Sequence, residues 1–185
     1  MKKIFAIGEA PHGTHLDKIK EILNRYENLS GIFLEHPVDF QSSVNSYLQN
    51  KKVDEKLQGF WERCLKEGND IKNIDIYLFD LALEKKIPVI CIDSSKTKTD
   101  EYNNKSDIGY WFLRGESRDE DMFENIIGKY KDEETWVVLC GATHLITEIH
   151  PRTHKKTLGF RLKERFGNEF SYLVLNQSAG VNLAG

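Results

Sequence analysis

Four short apolar runs, each followed at once by polar residues, most constrain the fold of this 185-residue chain. They occupy residues 4–7, 31–34, 88–92 and 136–140, and a fifth run follows at residues 170–175. Continuous apolar runs that are rich in β-branched residues are typical of strands covered on both faces, as in parallel sheets.

Amphipathic helical patterns fill the intervals between these runs, at residues 14–27, 53–66, 70–85, 118–130 and 157–166. Alternating strands and helices predict an α/β fold: a mainly parallel central sheet of about five strands with helices on both faces, in three α/β/α layers. The length predicts one domain over residues 1–185. The polar stretch 94–115 is predicted to be a long loop or an inserted cap.

Composition excludes several function classes. The net charge of −3 gives no reason to expect a nucleic-acid partner. Cys64, Cys91 and Cys140 contain no CxxC pair, so neither a disulfide framework nor a zinc ribbon is indicated. No run approaches the ~20 apolar residues that cross a bilayer, and the first apolar run is too short for a signal peptide. We therefore expect a cytoplasmic protein with a small-molecule substrate and no membrane partner, of undefined oligomeric state.

Polar side chains with catalytic chemistry follow the predicted strands. In open α/β sheets, ligands bind beyond the carboxyl ends of the strands. The first four strands deliver to this edge Glu9 and His12, then Glu35 and His36, then Asp93, and finally His144.

Two chemistries suit such a set. A histidine, with an unperturbed pKa of about 6.5, can take a proton from water while a carboxylate orients its ring. Alternatively, Glu9, His12, Glu35 and His144 could hold a divalent metal ion that activates water. Both chemistries generate a hydrolytic nucleophile, and the residues alone leave the choice open.

Five segments in order resemble the motifs of the erythromycin-esterase-like family, which is related to the haem-uptake lipoproteins and, more distantly, to the Tiki/TraB-type proteins. They are GEAPHGT at residues 8–14, LE at 34–35, RDEDMFENI at 118–126, GATHL at 141–145 and LGFRL at 158–162. The resemblance implies that His12 is the general base, that Glu9, Glu35 and His144 support it or hold a metal, and that Arg118 binds a polarised or anionic substrate oxygen. The esterases proper carry a helical cap for which this chain has no room, so their macrolide substrate is not carried over.

The resulting hypothesis is a hydrolase that attacks an ester-like or amide-like substrate. The alternatives are a metal-dependent hydrolase and a non-catalytic domain that binds haem or another small ligand. His15, His36 and Asp93 are candidates for the substrate pocket. The acidic run 119–121 is predicted to be a solvated helix face, and His150 and His154 are predicted to lie in a surface loop.

Overall fold

A computed structural model describes residues 3–95, 108–149 and 155–176 and the backbone of 182–184; for residues 108–116 it describes the backbone alone. The part of the chain containing His150 and His154 lies outside these ranges. In the described ranges, the strands are β1 (Ile4–Ala10), β2 (Gly31–Pro37), β3 (Val89–Asp93), β4 (Trp136–Gly141), β5 (Phe170–Asn176) and β6 (Asn182–Ala184).

These strands form one sheet in the order β3-β2-β4-β1-β5-β6. The first five strands are parallel, and the short β6 pairs antiparallel with β5 at the edge. The predicted mainly parallel sheet of about five strands is therefore confirmed.

The described helices are α1 (Leu16–Leu23), α2 (Gln41–Asn50), α3 (Glu55–Lys66), α4 (Lys72–Lys85), α5 (Ile108–Ile127) and α6 (Leu158–Phe166). One apolar core joins α1–α4 to a face of the sheet, through buried residues such as Ile19, Val44, Leu57 and Leu78. A second core joins α5 and α6 to the other face, through Met122, Ile126, Leu158 and Leu162. The predicted three-layer arrangement is confirmed.

Two helical segments differ from the sequence prediction. The loop predicted for 94–115 is wrong from residue 108 onward, because α5 begins at Ile108 and contains Gly115 in its interior; the alternative of an inserted cap stays a prediction. An interior glycine costs a helix only about 1 kcal/mol, which the packing of Met122 and Ile126 offsets. Residues 96–107 of that stretch lie outside the described part of the chain.

Helix α2 was not predicted. The side chain of Gln41, at its start, donates to the backbone carbonyl of Val89 (2.9 Å) and accepts from the backbone N–H of Cys91 (2.8 Å). These bonds fasten α2 to the outer edge of β3, so tertiary contacts favour a helix that has little amphipathic signal of its own.

The parallel register aligns the strand ends that carry the candidate residues. Glu9 of β1 is paired with Gly141 of β4, and Leu34 of β2 is paired with Leu139. A 3₁₀ turn, Ala142–Leu145, directly follows β4 and carries His144. Among the described residues, no helix is long and apolar enough to cross a membrane.

Candidate active site

Glu35 is the hub of the cluster at the carboxyl edge of the sheet. Its Oε1 accepts a hydrogen bond from Nη2 of Arg118 at 2.9 Å and lies 3.2 Å from Nε2 of His144. Its Oε2 accepts the backbone N–H of Gly141 at 2.5 Å. A carboxylate at the end of a buried strand is costly unless it is paired, and Glu35 is paired with both Arg118 and His144.

Arg118 connects Glu35 to the end of β3. Its Nε and Nη2 donate to the two carboxylate oxygens of Asp93, at 2.9 and 2.6 Å. A bidentate arginine–carboxylate pair fixes the guanidinium plane. Asp93, predicted as a pocket residue, therefore orients Arg118 and also lines the cavity described below.

His144 is held between two carboxylates. Its Nε2 faces Glu35, and its Nδ1 donates to Oδ1 of Asp119 at 2.5 Å. Asp119 is fully buried, and its other oxygen lies 3.2 Å from the ammonium of Lys155. The prediction of a solvated acidic face is therefore wrong at Asp119, although Glu120 beside it is exposed. Asp119 precedes Met122 and Ile126 by three and seven residues, so it belongs to the buried face of α5.

His12 approaches the same centre from the loop after β1. A Cβ atom at Gly141 would lie 2.9 Å from Nε2 of His12 and 3.5 Å from Oε2 of Glu35. His12 is half-buried, and only a residue without a side chain at position 141 leaves room for its ring. The structure thus brings His12, Glu35 and His144 to one place, as the motif pattern predicted.

Glu9 holds the loop that carries His12. Its carboxylate accepts the backbone N–H groups of Gly13 (3.4 Å) and His15 (3.3 Å), and Oε1 lies 3.4 Å from Nδ1 of His15. Gly13 has φ +85°, and a Cβ there would lie 2.0 Å from the backbone oxygen of Asp70. The loop is therefore packed against the connection between α3 and α4. His15, a predicted pocket residue, lies behind Glu9 and is absent from the lining of the cavity.

Burial and pairing shift the pKa values of this cluster in opposite directions. Burial alone would raise the pKa of Glu35, but the charge and hydrogen bond of His144, together with Arg118, hold that pKa well below its usual range. Burial alone would lower the pKa of His144, but Glu35 and Asp119 raise it to about 10. At neutral pH, His144 is therefore an imidazolium and Glu35 a carboxylate. Burial raises the pKa of Glu9, against the hydrogen bond from Gly13.

A second polar cluster lies on the opposite side of β2. His36 is buried and its Nε2 donates to Oδ2 of Asp75 at 2.7 Å, and Nε1 of Trp61 donates to the same oxygen at 2.6 Å. Asp75 and Trp61 were not singled out in the sequence. The spacing of Asp75 from Leu78 and Ala82 places it on the buried face of α4, but a helical pattern does not show which polar groups a buried carboxylate binds.

One cavity of about 450 Å³ joins the two clusters. At one end it is lined by Glu9, His12, Glu35, Asp93 and Arg118, and at the other by residues of α3 and α4. His36, predicted as a pocket residue, is also part of its lining. A cavity of this size suits a small organic molecule.

The proposed metal ligands do not fit a metal ion in this arrangement. The described side chains contain no group of three or more His, Cys, Asp and Glu residues that could hold one. Both nitrogens of His144 face carboxylates, and Glu35 is already bonded to Arg118. A cation would have to displace the guanidinium, so no chemical step is assigned to a metal.

No family model and no curated protein sequence matches this chain. Solved structures do match its fold. RRSP, a MARTX toxin effector domain from Vibrio vulnificus, has a TM-score of 0.65 and 17% identity over 99% of this chain and 35% of that one. The C-terminal region of Pasteurella multocida toxin, described as having a thiol-protease like catalytic triad, has a TM-score of 0.65 and 15% identity over 100% of this chain and 24% of that one. A protein from Bacillus cereus has a TM-score of 0.56 and 13% identity over 98% of this chain and 70% of that one.

These similarities concern the fold alone, because each sequence identity is low. This chain spans about a third or less of the toxin chains. Any activity of this chain therefore has to be inferred from the residues of its own site.

Proposed function

We propose that this chain is a hydrolase in which His12 activates water for attack on an ester or amide carbonyl. The observation that carries the proposal is the position of Nε2 of His12. This atom lies 2.9 Å, and Oε2 of Glu35 lies 3.5 Å, from the position that a Cβ at Gly141 would take, and both residues line the cavity. His12 is half-buried and lines the cavity, so a substrate carbonyl and a water molecule can both reach it.

Glu35 would stabilise the imidazolium that forms when His12 takes a proton. Its own bonds to Arg118, His144 and the N–H of Gly141 keep it ionised and fix its orientation. A carboxylate in this state is a stable electrostatic partner for a histidine base.

Arg118, which lines the cavity, would supply positive charge where the carbonyl oxygen becomes an oxyanion. It is held in place by Asp93 before the substrate binds. Donors that are oriented in advance need no reorganisation during the reaction, which is the usual source of such stabilisation. His144 is absent from the cavity lining and both of its nitrogens face carboxylates, so it would act by positioning Glu35. Glu9 would position His12 by holding the backbone of residues 13 and 15.

The resemblance to the erythromycin-esterase-like family supports the same reaction class, because its five motifs supply these residues in order. The macrolide substrate is no part of the proposal. We further expect the protein to act in the cytoplasm on a small molecule.

A cysteine nucleophile is disfavoured, although one of the toxins with this fold is described as having a thiol-protease like triad. A reactive thiolate requires a lowered pKa. Burial raises the pKa of Cys64 to about 11 and that of Cys91 to about 12, and it raises the pKa of Cys140 well above its usual value. Neutral thiols of this kind are inert.

The test is hydrolysis of a panel of activated aryl esters, lactones and anilides by the purified protein. His12→Ala and Glu35→Gln should each lower kcat by about 10²–10⁴-fold, the usual contribution of a general base. Leu65→Ala, on an exposed position of α3, is the matched control and should leave kcat unchanged. Turnover that persists in His12→Ala would exclude the proposed base.

The two alternatives stay predictions with their own measurements. Stoichiometric metal in the purified protein, lost in His144→Ala, would favour the metal-dependent hydrolase. A visible absorbance band on addition of haem, together with no turnover on the panel, would favour the non-catalytic binding domain.

A further inference from the structure

The wall of the cavity opposite His12 has no part in the reaction proposed above. Helices α3 and α4 build this wall, with Phe60, Cys64, Ile71 and Ile74 as its less polar members. Leu34 and Leu139, from β2 and β4, extend the apolar surface toward the catalytic end. A molecule that fills the cavity from His12 outward would therefore lie against this surface.

Phe60 is the aromatic centre of the wall and is held on several sides. Its ring centroid lies 4.7 Å from that of Phe40 and 4.8 Å from that of His36, which meets it edge-on. The guanidinium of Arg63 lies 5.4 Å from the ring centroid. Phe60 remains half-buried while lining the cavity, so a fixed aromatic surface is open to a ligand.

The wall is also fixed relative to the catalytic end. The Asp75 carboxylate binds His36 at the end of β2 and Trp61 in α3, so both helices are tied to the residue next to Glu35. On the far side, Gly13 packs directly against Asp70 in the α3–α4 connection. The distance from the wall to His12 is therefore set before a ligand binds.

The charged residues of the cavity lining limit the chemical class of ligand that can bind there. The lining contains five carboxylates, Glu9, Glu35, Glu67, Asp75 and Asp93, against the two arginines Arg63 and Arg118. A ligand that carries an anionic group would be repelled by this excess of negative charge. The volume of about 450 Å³ lies toward the small end of ligand pockets, which run from about 300 to 1,000 Å³. Compact neutral groups fit these conditions better than long acyl chains.

We propose that the substrate carries a compact, neutral aromatic acyl group, which packs against Phe60, Ile71 and Ile74 while its carbonyl carbon lies beside His12. This inference rests on the proposed hydrolase function and specifies its substrate class. The reaction is ordinary hydrolysis. Water adds to the carbonyl carbon as His12 takes one of its protons, the bond to the leaving oxygen or nitrogen breaks, and the leaving group takes up that proton from His12.

The test compares nitrophenyl acetate, benzoate and decanoate, each corrected for its spontaneous hydrolysis rate. The native protein should prefer benzoate to acetate and to decanoate by about 10-fold or more in kcat/KM, the effect of a few apolar contacts. Phe60→Ala should remove the preference for benzoate by lowering kcat/KM for benzoate about 10-fold more than for acetate, and Phe60→Leu should retain part of the preference. Leu65→Ala, on the exposed side of α3, should behave as the native protein. Faster hydrolysis of acetate or decanoate than of benzoate by the native protein would overturn the inference.

A binding measurement distinguishes failure of the proposed aromatic pocket from failure of the hydrolase function on which it rests. Benzamide binding to His12→Ala is measured by isothermal titration calorimetry, beside acetamide as the small control ligand. Selective benzamide binding that disappears in Phe60→Ala supports the pocket even if no ester is hydrolysed, in which case only the hydrolase proposal fails. Hydrolysis that depends on His12 but shows no preference among the acyl groups overturns the pocket and leaves the hydrolase standing.

Discussion

His144 and Asp119 form a buried ion pair, with Nδ1 of the imidazolium 2.5 Å from Oδ1 of the carboxylate. The aspartate lies in α5 and the histidine in the turn after β4, so this pair fastens a helix to the active edge of the sheet. It also fixes the ring so that Nε2 faces Glu35. Asp119 thus acts on the site through His144, which in turn holds Glu35, and neither Asp119 nor His144 lines the cavity.

Replacing Asp119 by asparagine keeps an acceptor for Nδ1 and removes the charge. We expect the pKa of His144 to fall below its value of about 10, since one of the two carboxylates that raise it is lost, and unfolding to become easier by about 1–3 kcal/mol. NMR titration of the imidazole and urea unfolding measure these effects. Glu120→Gln, one residue along and 58% exposed, should change neither; equal effects of both variants would contradict a specific role for Asp119.

The His144 pKa also predicts how stability depends on pH. Because this pKa is raised in the folded state, to about 10, the contribution of His144 is fully present below its unfolded value of about 6.5. It is lost as the pH rises from there to about 10, at up to about 1.4 kcal/mol for each pH unit. Urea unfolding at pH 6, 8 and 10 should show this loss, and His144→Gln should show a flatter profile. Identical profiles would mean that His144 is not protonated preferentially in the fold.

Gly141→Ala would place a methyl group 2.9 Å from Nε2 of His12. The ring must move away from Glu35 because the backbone of β4 is fixed by two neighbouring strands. We expect kcat to fall by at least about 10²-fold, the lower range for loss of a general base, with the melting temperature largely retained. Gly59→Ala is the matched control, since a Cβ there meets nothing within 4 Å; it should keep full activity and gain about 0.5–1 kcal/mol of helix stability. Normal activity in Gly141→Ala would remove His12 from the proposed position.

Asp75→Ala would leave His36 and the indole N–H of Trp61 without their shared acceptor in a buried site. We expect a destabilisation of about 3–5 kcal/mol, as for the removal of one partner of a buried pair, and altered Trp fluorescence. Chemical unfolding followed by fluorescence measures both. Asp80→Ala, in the same helix but at a position 46% exposed, removes a surface ion pair with Lys51 and a long hydrogen bond from Tyr47 (3.4 Å); it should cost no more than about 1–2 kcal/mol. A similar cost for both variants would argue against a structural role for the His36–Asp75 pair.

Much of the fold follows from hydrophobic periodicity alone. The strands could be predicted because buried parallel strands are short, continuous and β-branched, as in residues 136–140. Helix α2 was not predicted because its apolar residues are few, although Val44, Tyr47 and Leu48 do stand at helical spacing. Its position depends on Gln41 bonding to β3, a tertiary contact that local pattern does not encode.

The site was predictable to the extent that strand ends converge. Glu9 and Glu35 lie near the carboxyl ends of β1 and β2, while His12 and His144 follow β1 and β4. The parallel register brings those ends together. Asp119 was predicted to be solvent-exposed because its neighbours are acidic. Its spacing from Met122 and Ile126, however, places it on the buried face of α5. Asp75 stands at the same spacing from the buried Leu78 and Ala82, but that spacing does not identify its partners His36 and Trp61, which lie in other elements.

The strand order has a consequence for biosynthesis. β4 lies between β1 and β2, which are the first two strands to leave the ribosome. Until residues 136–141 are made, β1 and β2 lack the strand that pairs with both of them. The nascent chain then also lacks Gly141 and His144. Joining β1 to β2 and assembling the active centre thus both wait for β4, whereas β5 and β6 join the sheet later. A chain interrupted before β4 carries Glu9, His12 and Glu35 but lacks the strand that brings them together.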